Sequence, residues 1–223
     1  MEESVSKTSA VASRAISLGA QLTAVDNWQV PGMFTSVTEE LDALRRSAGL
    51  IDASPFGRIL IEGTAAARIA TALGATTAGI LVYRIRDDQY LAHTRPGLVE
   101  IGLETAHSFQ ESGELTTITD MSHGWSEIRI AGPQGPALLS KLCGLDFHLN
   151  QVTNGTTVRS SVAKTSQLIV RQDVGGVPVF ALIGPRSLAL YLWDTILDAG
   201  GELNLTPVGY NAFRQLEGAS GSE

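Results

Sequence analysis

Two aspartates, Asp52 and Asp120, each stand two residues before a serine, Ser54 and Ser122. Their surroundings repeat. Leu50-Ile51-Asp52-Ala53-Ser54 leads into Ile59-Leu60-Ile61-Glu62-Gly63, and Ile118-Thr119-Asp120-Met121-Ser122 leads into Ile128-Arg129-Ile130-Ala131-Gly132. A matched pair of carboxylates could do acid–base work at a pseudo-twofold axis. Asp and Ser also cap turns by bonding the backbone two residues on, and a repeated turn before a repeated strand is the expectation here. His123, beside Gly124 and Trp125, has the side chain for a general base near neutral pH. No nucleophile motif accompanies it, so a surface or hydrogen-bonded histidine is expected. Asp87-Asp88 reads as a solvated hairpin tip and Gly175-Gly176 as a second tight turn, since no lysine follows at phosphate-loop spacing. Trp193, among Leu190, Tyr191 and Leu192, reads as core.

Four histidines and a single cysteine, Cys143, offer no spacing for a zinc site or a disulfide framework. Cys143 is expected to be a small buried apolar side chain. A net charge of −7 and a pI near 5.1 argue against nucleic acid or an anionic membrane as the main partner. The start, Met1-Glu2-Glu3-Ser4, is acidic where a secretory leader would be basic, and no apolar run approaches the roughly 20 residues of a membrane span. The expectation is a cytoplasmic chain.

These residues need elements to hold them. Leu41, Leu44 and Leu50 lie among Glu39, Glu40, Asp42, Arg45 and Arg46, an amphipathic helix over 38–50 with acids early and bases late. Gly49 is expected to cap it. The first repeat then reads as strand 58–62, helix 64–73, hairpin 80–85 with 89–93, and helix 97–110. The second reads as strand 125–130, helix 134–143, strands 167–172 and 177–183, and helix 186–199. Residues 144–160, rich in Asn, Thr and Gly, form the longest irregular stretch, and a loop there could carry Asp146 or His148 into a cavity. The fold class expected is α+β: a duplicated strand–helix–hairpin–helix module with antiparallel sheets and packed helices. The organisation expected is a flexible tail at 1–14, a domain at 15–217 made of repeats at about 50–117 and 118–200, and a tail at 218–223.

A resemblance to a known family rests on the order of several short motifs. Leu18 to Leu22, Trp28-Gln29-Val30-Pro31-Gly32, Glu39 to Arg45 and Gly49 to Ser54 resemble the opening of the glycine-cleavage aminomethyltransferase (T-protein) family, which binds tetrahydrofolate and moves one-carbon units onto it. Val82-Tyr83-Arg84 with Asp88-Gln89-Tyr90-Leu91 looks like its next hairpin. Asp120 to Trp125, Ala131-Gly132-Pro133, Leu142 to His148, Pro185-Arg186-Ser187 and Tyr191-Leu192-Trp193 look closer to the gamma subunit of heterotetrameric sarcosine oxidase. The likeness runs over roughly 15–217 and implies a T-protein-like folate-binding domain without that family's C-terminal barrel. Departures accompany it. Ala78-Gly79 stand where the family carries a catalytic aspartate, Thr94-Arg95 where it carries an asparagine, and Asp173 to Val177 where it carries a pteridine-binding glutamate.

What the resemblance implies is therefore a small subunit of a flavin- and tetrahydrofolate-linked demethylating oxidase complex. The alternatives are a compact tetrahydrofolate-dependent methyl or aminomethyl transferase or demethylase, and a folate-binding regulatory or repair protein. Tetrahydrofolate is the cofactor implied, with Phe56 and Tyr83 for ring packing and Arg95 and Arg171 as a cationic hold on its glutamyl carboxylates. No metal is implied. Partners would be flavoprotein subunits or further copies of the chain, with neither nucleic acid nor membrane.

Overall fold

In the computed structural model, which describes residues 6–218, strands and short helices alternate. The order is β1 (Lys7–Thr8), α1 (Ala12–Ser17), β2 (Gln21–Val25), β3 (Trp28–Met33), α2 (Val37–Arg46), β4 (Ala48–Asp52), β5 (Gly57–Gly63) and α3 (Ala66–Thr76). Then come β6 (Ile80–Arg86), β7 (Gln89–Thr94), α4 (Val99–Ser108), β8 (Thr116–Asp120), β9 (Trp125–Ala131) and α5 (Gly135–Leu142). The last are β10 (Thr157–Val162), β11 (Thr165–Arg171), β12 (Val179–Pro185), α6 (Ala189–Gly200), β13 (Leu205–Val208) and α7 (Tyr210–Gly218). The chain divides into two compact units, Ser54–Trp125 and the remainder.

The unit Ser54–Trp125 is a four-stranded antiparallel sheet in the order β6-β7-β5-β8. Even and odd positions of its strands point to opposite faces. Ile59 and Ile61 of β5, Ile80 of β6 and Ala92 of β7 share one face and pack on Ile69, Ala70 and Leu73 of α3 and Ala106 of α4. Burying a side chain the size of Ile69 or Leu73 contributes about 1.5–3 kcal/mol. Gly102 lets α4 lie this close, because a Cβ there would stand 2.8 Å from Ile59 Cδ1.

The other unit holds a six-stranded sheet, β10-β11-β12-β9-β4-β13, and a three-stranded one, β1-β3-β2. Helices α5 and α6 cover one face of the larger sheet, with Leu138, Leu139, Leu192, Trp193 and Ile196 packed on Ile128, Ile130, Ile169, Phe180 and Leu182. Both sheets are mixed, since β13 joins β4 and β1 joins β3 in parallel. Buried Glu40 of α2 ties two turns together, accepting from the backbone N–H groups of Phe34 (2.6 Å), Thr35 (3.1 Å) and Gly209 (2.9 Å).

The duplication is visible in the registers. Asp120 of β8 faces Ile59 of β5, and Asp52 of β4 faces Ile128 of β9. Gly63 and Gly132 end the two central strands at φ +132° and +127°, and a Cβ on either would strike a carbonyl, Leu115 O at 2.1 Å or Ser47 O at 2.3 Å. Each strand that opens a sequence repeat thus pairs with the central strand of the other repeat. A repeat in sequence and a compact unit in space are for that reason different stretches of chain.

Several local expectations change. The helix expected over 38–50 stops at Arg46, and Gly49 lies inside β4, not at a cap; a Cβ there would meet Leu44 and Val208 at 2.5 and 2.8 Å. Its start is capped by Ser36, whose Oγ accepts from Glu39 N–H (3.2 Å) and donates to the Glu39 carboxylate (2.9 Å). The irregular stretch expected over 144–160 ends early, because Thr157 onward is β10, hairpin-paired to β11. Of the expected tails, residues 1–5 and 219–223 lie outside the described residues; Lys7–Thr8 is a strand, and Val11 and Ala12 are buried in or beside α1.

Candidate functional site

The helix-free face of the four-stranded sheet carries Arg58 of β5, Leu91 and His93 of β7, and Leu81 and Tyr83 of β6. Strand alternation puts them there, because their odd and even neighbours are spent on the α3 and α4 side. His93 is the centre of the group. Phe56 stacks on its ring at 5.1 Å with 20° between planes, and Tyr83 tilts against it at 6.2 Å and 60°. All three rings are buried. Arg58 is the direct cross-strand neighbour of His93 and is wholly buried. Its guanidinium donates to the carbonyls of Ser54 (3.2 Å) and Ser122 (2.5 Å), while its N–H donates to Ser122 Oγ (2.9 Å). A buried cation anchored in this way fixes the turn at Ser122 and the approach of Phe56.

Arg95 follows β7 directly and is exposed. Its N–H closes the base of the hairpin on Gly79 O at 2.9 Å, and its side chain runs over Gly79, where a Cβ would lie 3.5 Å from Arg95 Cδ. Gly79 itself adopts φ +83°, and a Cβ would also stand 2.7 Å from Leu98 Cδ1. An acidic side chain could not take this position without strain. The structure thus brings Phe56 and Tyr83 onto one histidine and sets Arg95 beside Gly79 in the same unit. His93 was not singled out from sequence, although the turn at Asp87-Asp88 fixes the hairpin that sets it beside Tyr83.

Arg171 lies in the other unit and is differently employed. In register with Phe180, it occupies the helix-covered face of its sheet. Its guanidinium forms a fork with Asp173 at 2.9 and 2.7 Å and donates to Leu149 O (2.8 Å) and Val152 O. A buried arginine so committed organises a loop.

The remaining sequence candidates divide between turn, surface and core. Asp120 Oδ1 accepts from Ser122 N–H at 2.8 Å, an Asx turn, and Asp52 is buried at the end of β4. His123 is exposed. Arg84 pairs with Asp87, and Arg86 lies 3.9 Å from Asp88, all well exposed. Gly175 and Gly176 have φ of +56° and +74° between bridged Val174 and Val177. Cys143 and Trp193 are buried. Glu127, at the repeat position of Arg58, is buried and bonded to Arg129 at 2.7 Å, and the Arg129 guanidinium lies 4.9 Å over the Phe213 ring. Among the described residues no three His, Cys, Asp or Glu side chains gather as a metal site requires. No helix among them is long and apolar enough to cross a membrane.

Comparison with known proteins adds a family. Residues 69–219 match the GCVT N-terminal domain. The aminomethyltransferases of Halothermothrix orenii and Lysinibacillus sphaericus are 26% and 28% identical to the chain over 87% and 86% of its length. The chain spans 60% and 58% of those relatives. Among solved structures, the glycine cleavage system aminomethyltransferase T of Bartonella henselae aligns over 95% of this chain and 62% of its own, with a TM-score of 0.79 and 19% identity. The heterotetrameric sarcosine oxidase of Corynebacterium sp. U-96 aligns over 87% of this chain and 95% of the matched chain, with a TM-score of 0.66 and 17% identity.

Proposed function

This chain belongs to the GCVT N-terminal domain family, and we propose that it is the small subunit of a flavin- and tetrahydrofolate-linked demethylating oxidase complex. It supplies a folate-binding surface and leaves the chemistry to a flavoprotein partner. The observation that carries this reading is Gly79. The resemblance puts a catalytic aspartate at Ala78-Gly79, yet the chain has no acid at either position, and Gly79 is left-handed and pressed under Leu98 and Arg95. The ring face beside it persists, with Phe56, His93 and Tyr83 stacked and Arg95 exposed for a glutamyl carboxylate. Arg171 is spoken for by Asp173 and two carbonyls, so the cationic hold in this reading falls to Arg95.

Support for a partner comes from the fold shared with a chain of a heterotetrameric sarcosine oxidase, at a TM-score of 0.66. The isolated chain is expected to transfer no one-carbon unit from an aminomethyl donor to tetrahydrofolate, while flavoprotein subunits encoded beside it co-purify when co-expressed. Measurable transfer by the isolated chain would overturn this in favour of a compact transferase.

A further inference from the structure

A surface groove of about 570 Å³ lies in the unit that contains α5, lined by Pro133, Pro136, Ala137 and Ser140 on one side and by Asp146, His148, Leu149 and Asn150 on the other. Its size falls within the roughly 300–1,000 Å³ of ligand sites. The second wall is a loop without helix or strand, yet it is held at many points. Phe147 is fully buried, edge-on to Phe180 at 5.9 Å. Arg171 grips the carbonyls of Leu149 and Val152, and Asp173, which forks onto Arg171, donates its N–H to Asn154 Oδ1 at 2.8 Å. A loop fixed this firmly while Asp146, His148, Leu149 and Asn150 remain exposed has its ordering cost met before anything binds.

The polar groups on that wall have defined roles. Asp146 Oδ1 accepts from His148 N–H at 2.8 Å, which leaves the carboxylate charge facing outward. His148 Nδ1 accepts from Asn150 N–H at 3.3 Å, so the neutral ring carries its proton on Nε2 and offers a donor. Ser140 donates to Pro136 O at 2.9 Å and keeps lone pairs to accept with. Asp146 brings a carboxylate to the lining, and Lys141, one position along α5 from Ser140, is bound to Glu202 and to Ala199 O. The apolar part of the lining comes from Pro133, Pro136, Ala137 and Leu149.

We infer that this groove docks an extended segment of a partner protein in which a lysine or arginine side chain reaches Asp146 while an adjoining aliphatic or proline side chain lies against Pro133, Pro136 and Leu149. The His148 Nε2–H and the Asn150 amide then hold the segment's carbonyls. The exposed wall favours a chain passing along the groove over an enclosed small molecule. The net charge of −7 draws a basic segment toward it. The inference rests on the subunit reading for the existence of a partner, and its test omits tetrahydrofolate so that the two can fail separately.

The test is a titration of the ¹⁵N-labelled full chain with an acetylated, amidated tetrapeptide of alanine, lysine, proline and leucine, and with its counterpart carrying glutamate for lysine. The lysine peptide is expected to move the backbone signals of His148, Leu149 and Asn150 with saturation at about 1–5 mM, and the glutamate peptide to leave them in place. Asp146→Asn keeps the Oδ1 acceptor and the turn, removes the charge, and should weaken the lysine peptide at least about threefold. Leu149→Ser, which removes apolar lining from an already exposed site, should weaken it as well. Equal shifts from both peptides, no shift from either, or unchanged binding in both variants would overturn the inference.

Discussion

At the scale of single residues, the structure separates positions that look alike in sequence. Ala78 and Gly79 both stand where the resemblance implies an acid, but only Ala78 is exposed with ordinary backbone. Gly79→Asp must hold a side chain at positive φ against Leu98 and is expected to cost about 1–2 kcal/mol or more, whereas Ala78→Asp should stay within about 0.5 kcal/mol; urea unfolding of the two variants checks this. The arginines divide similarly. Arg171→Ala leaves Asp173 and two loop carbonyls without their donor and should cost about 3 kcal/mol or more, read as a fall in the unfolding midpoint. Phe56, Tyr83 and Arg95 were legible as candidates through a family resemblance. His93 was not, because nothing in its own neighbourhood marks it; its place follows from hairpin register, which sets it opposite Arg58 and Leu81. The role of Arg171 could not be read either, since its partners at 149 and 152 lie about twenty positions upstream.

At the scale of elements, the strands and helices of the repeat were readable from apolar alternation and from the glycines that close each central strand. What escaped was the turn chemistry. The β10–β11 hairpin turns on Ala163 and Lys164 at φ +48° and +63°, a pair of left-handed residues without the Asn-Gly signature such turns favour. Replacing them with Asn and Gly should therefore raise stability by about 1 kcal/mol, seen as a higher melting temperature. The strand β4 was hidden for the opposite reason: an apolar run directly after a helix carries no break, and only pairing with β9 and β13 makes it extended. The segment after α4 makes a prediction in pH. Glu114 accepts from Glu111 N–H at 2.9 Å and receives the Arg68 guanidinium at 2.6 and 2.8 Å; the backbone bond first and the Arg68 bond second hold its carboxyl below the usual range. A depressed folded-state value means its contribution is present above the unfolded pKa, about 4.3, and is lost as pH falls through the lower folded value. The Glu111 amide signal should therefore titrate below that point, and an Arg68→Ala variant should move its midpoint upward.

At the scale of the whole molecule, a family fold carries Ala78-Gly79 where the resemblance implies an acid. Membership in the GCVT N-terminal domain family establishes what kind of domain this is, while function depends on the site built upon it. In the proposed reading a folate docks at the sheet that holds the buried Phe56, His93 and Tyr83 group, with exposed Arg95 directly after β7 taking its glutamyl carboxylate. The most direct test is calorimetric titration of tetrahydrofolate into the isolated chain and into Arg95→Ala, an exposed change that should leave the fold intact. The account predicts a saturable one-site heat for the unaltered chain and affinity about tenfold weaker for the variant, a difference of about 1.4 kcal/mol. Absence of any saturable heat, or identical affinity in the two proteins, would contradict it.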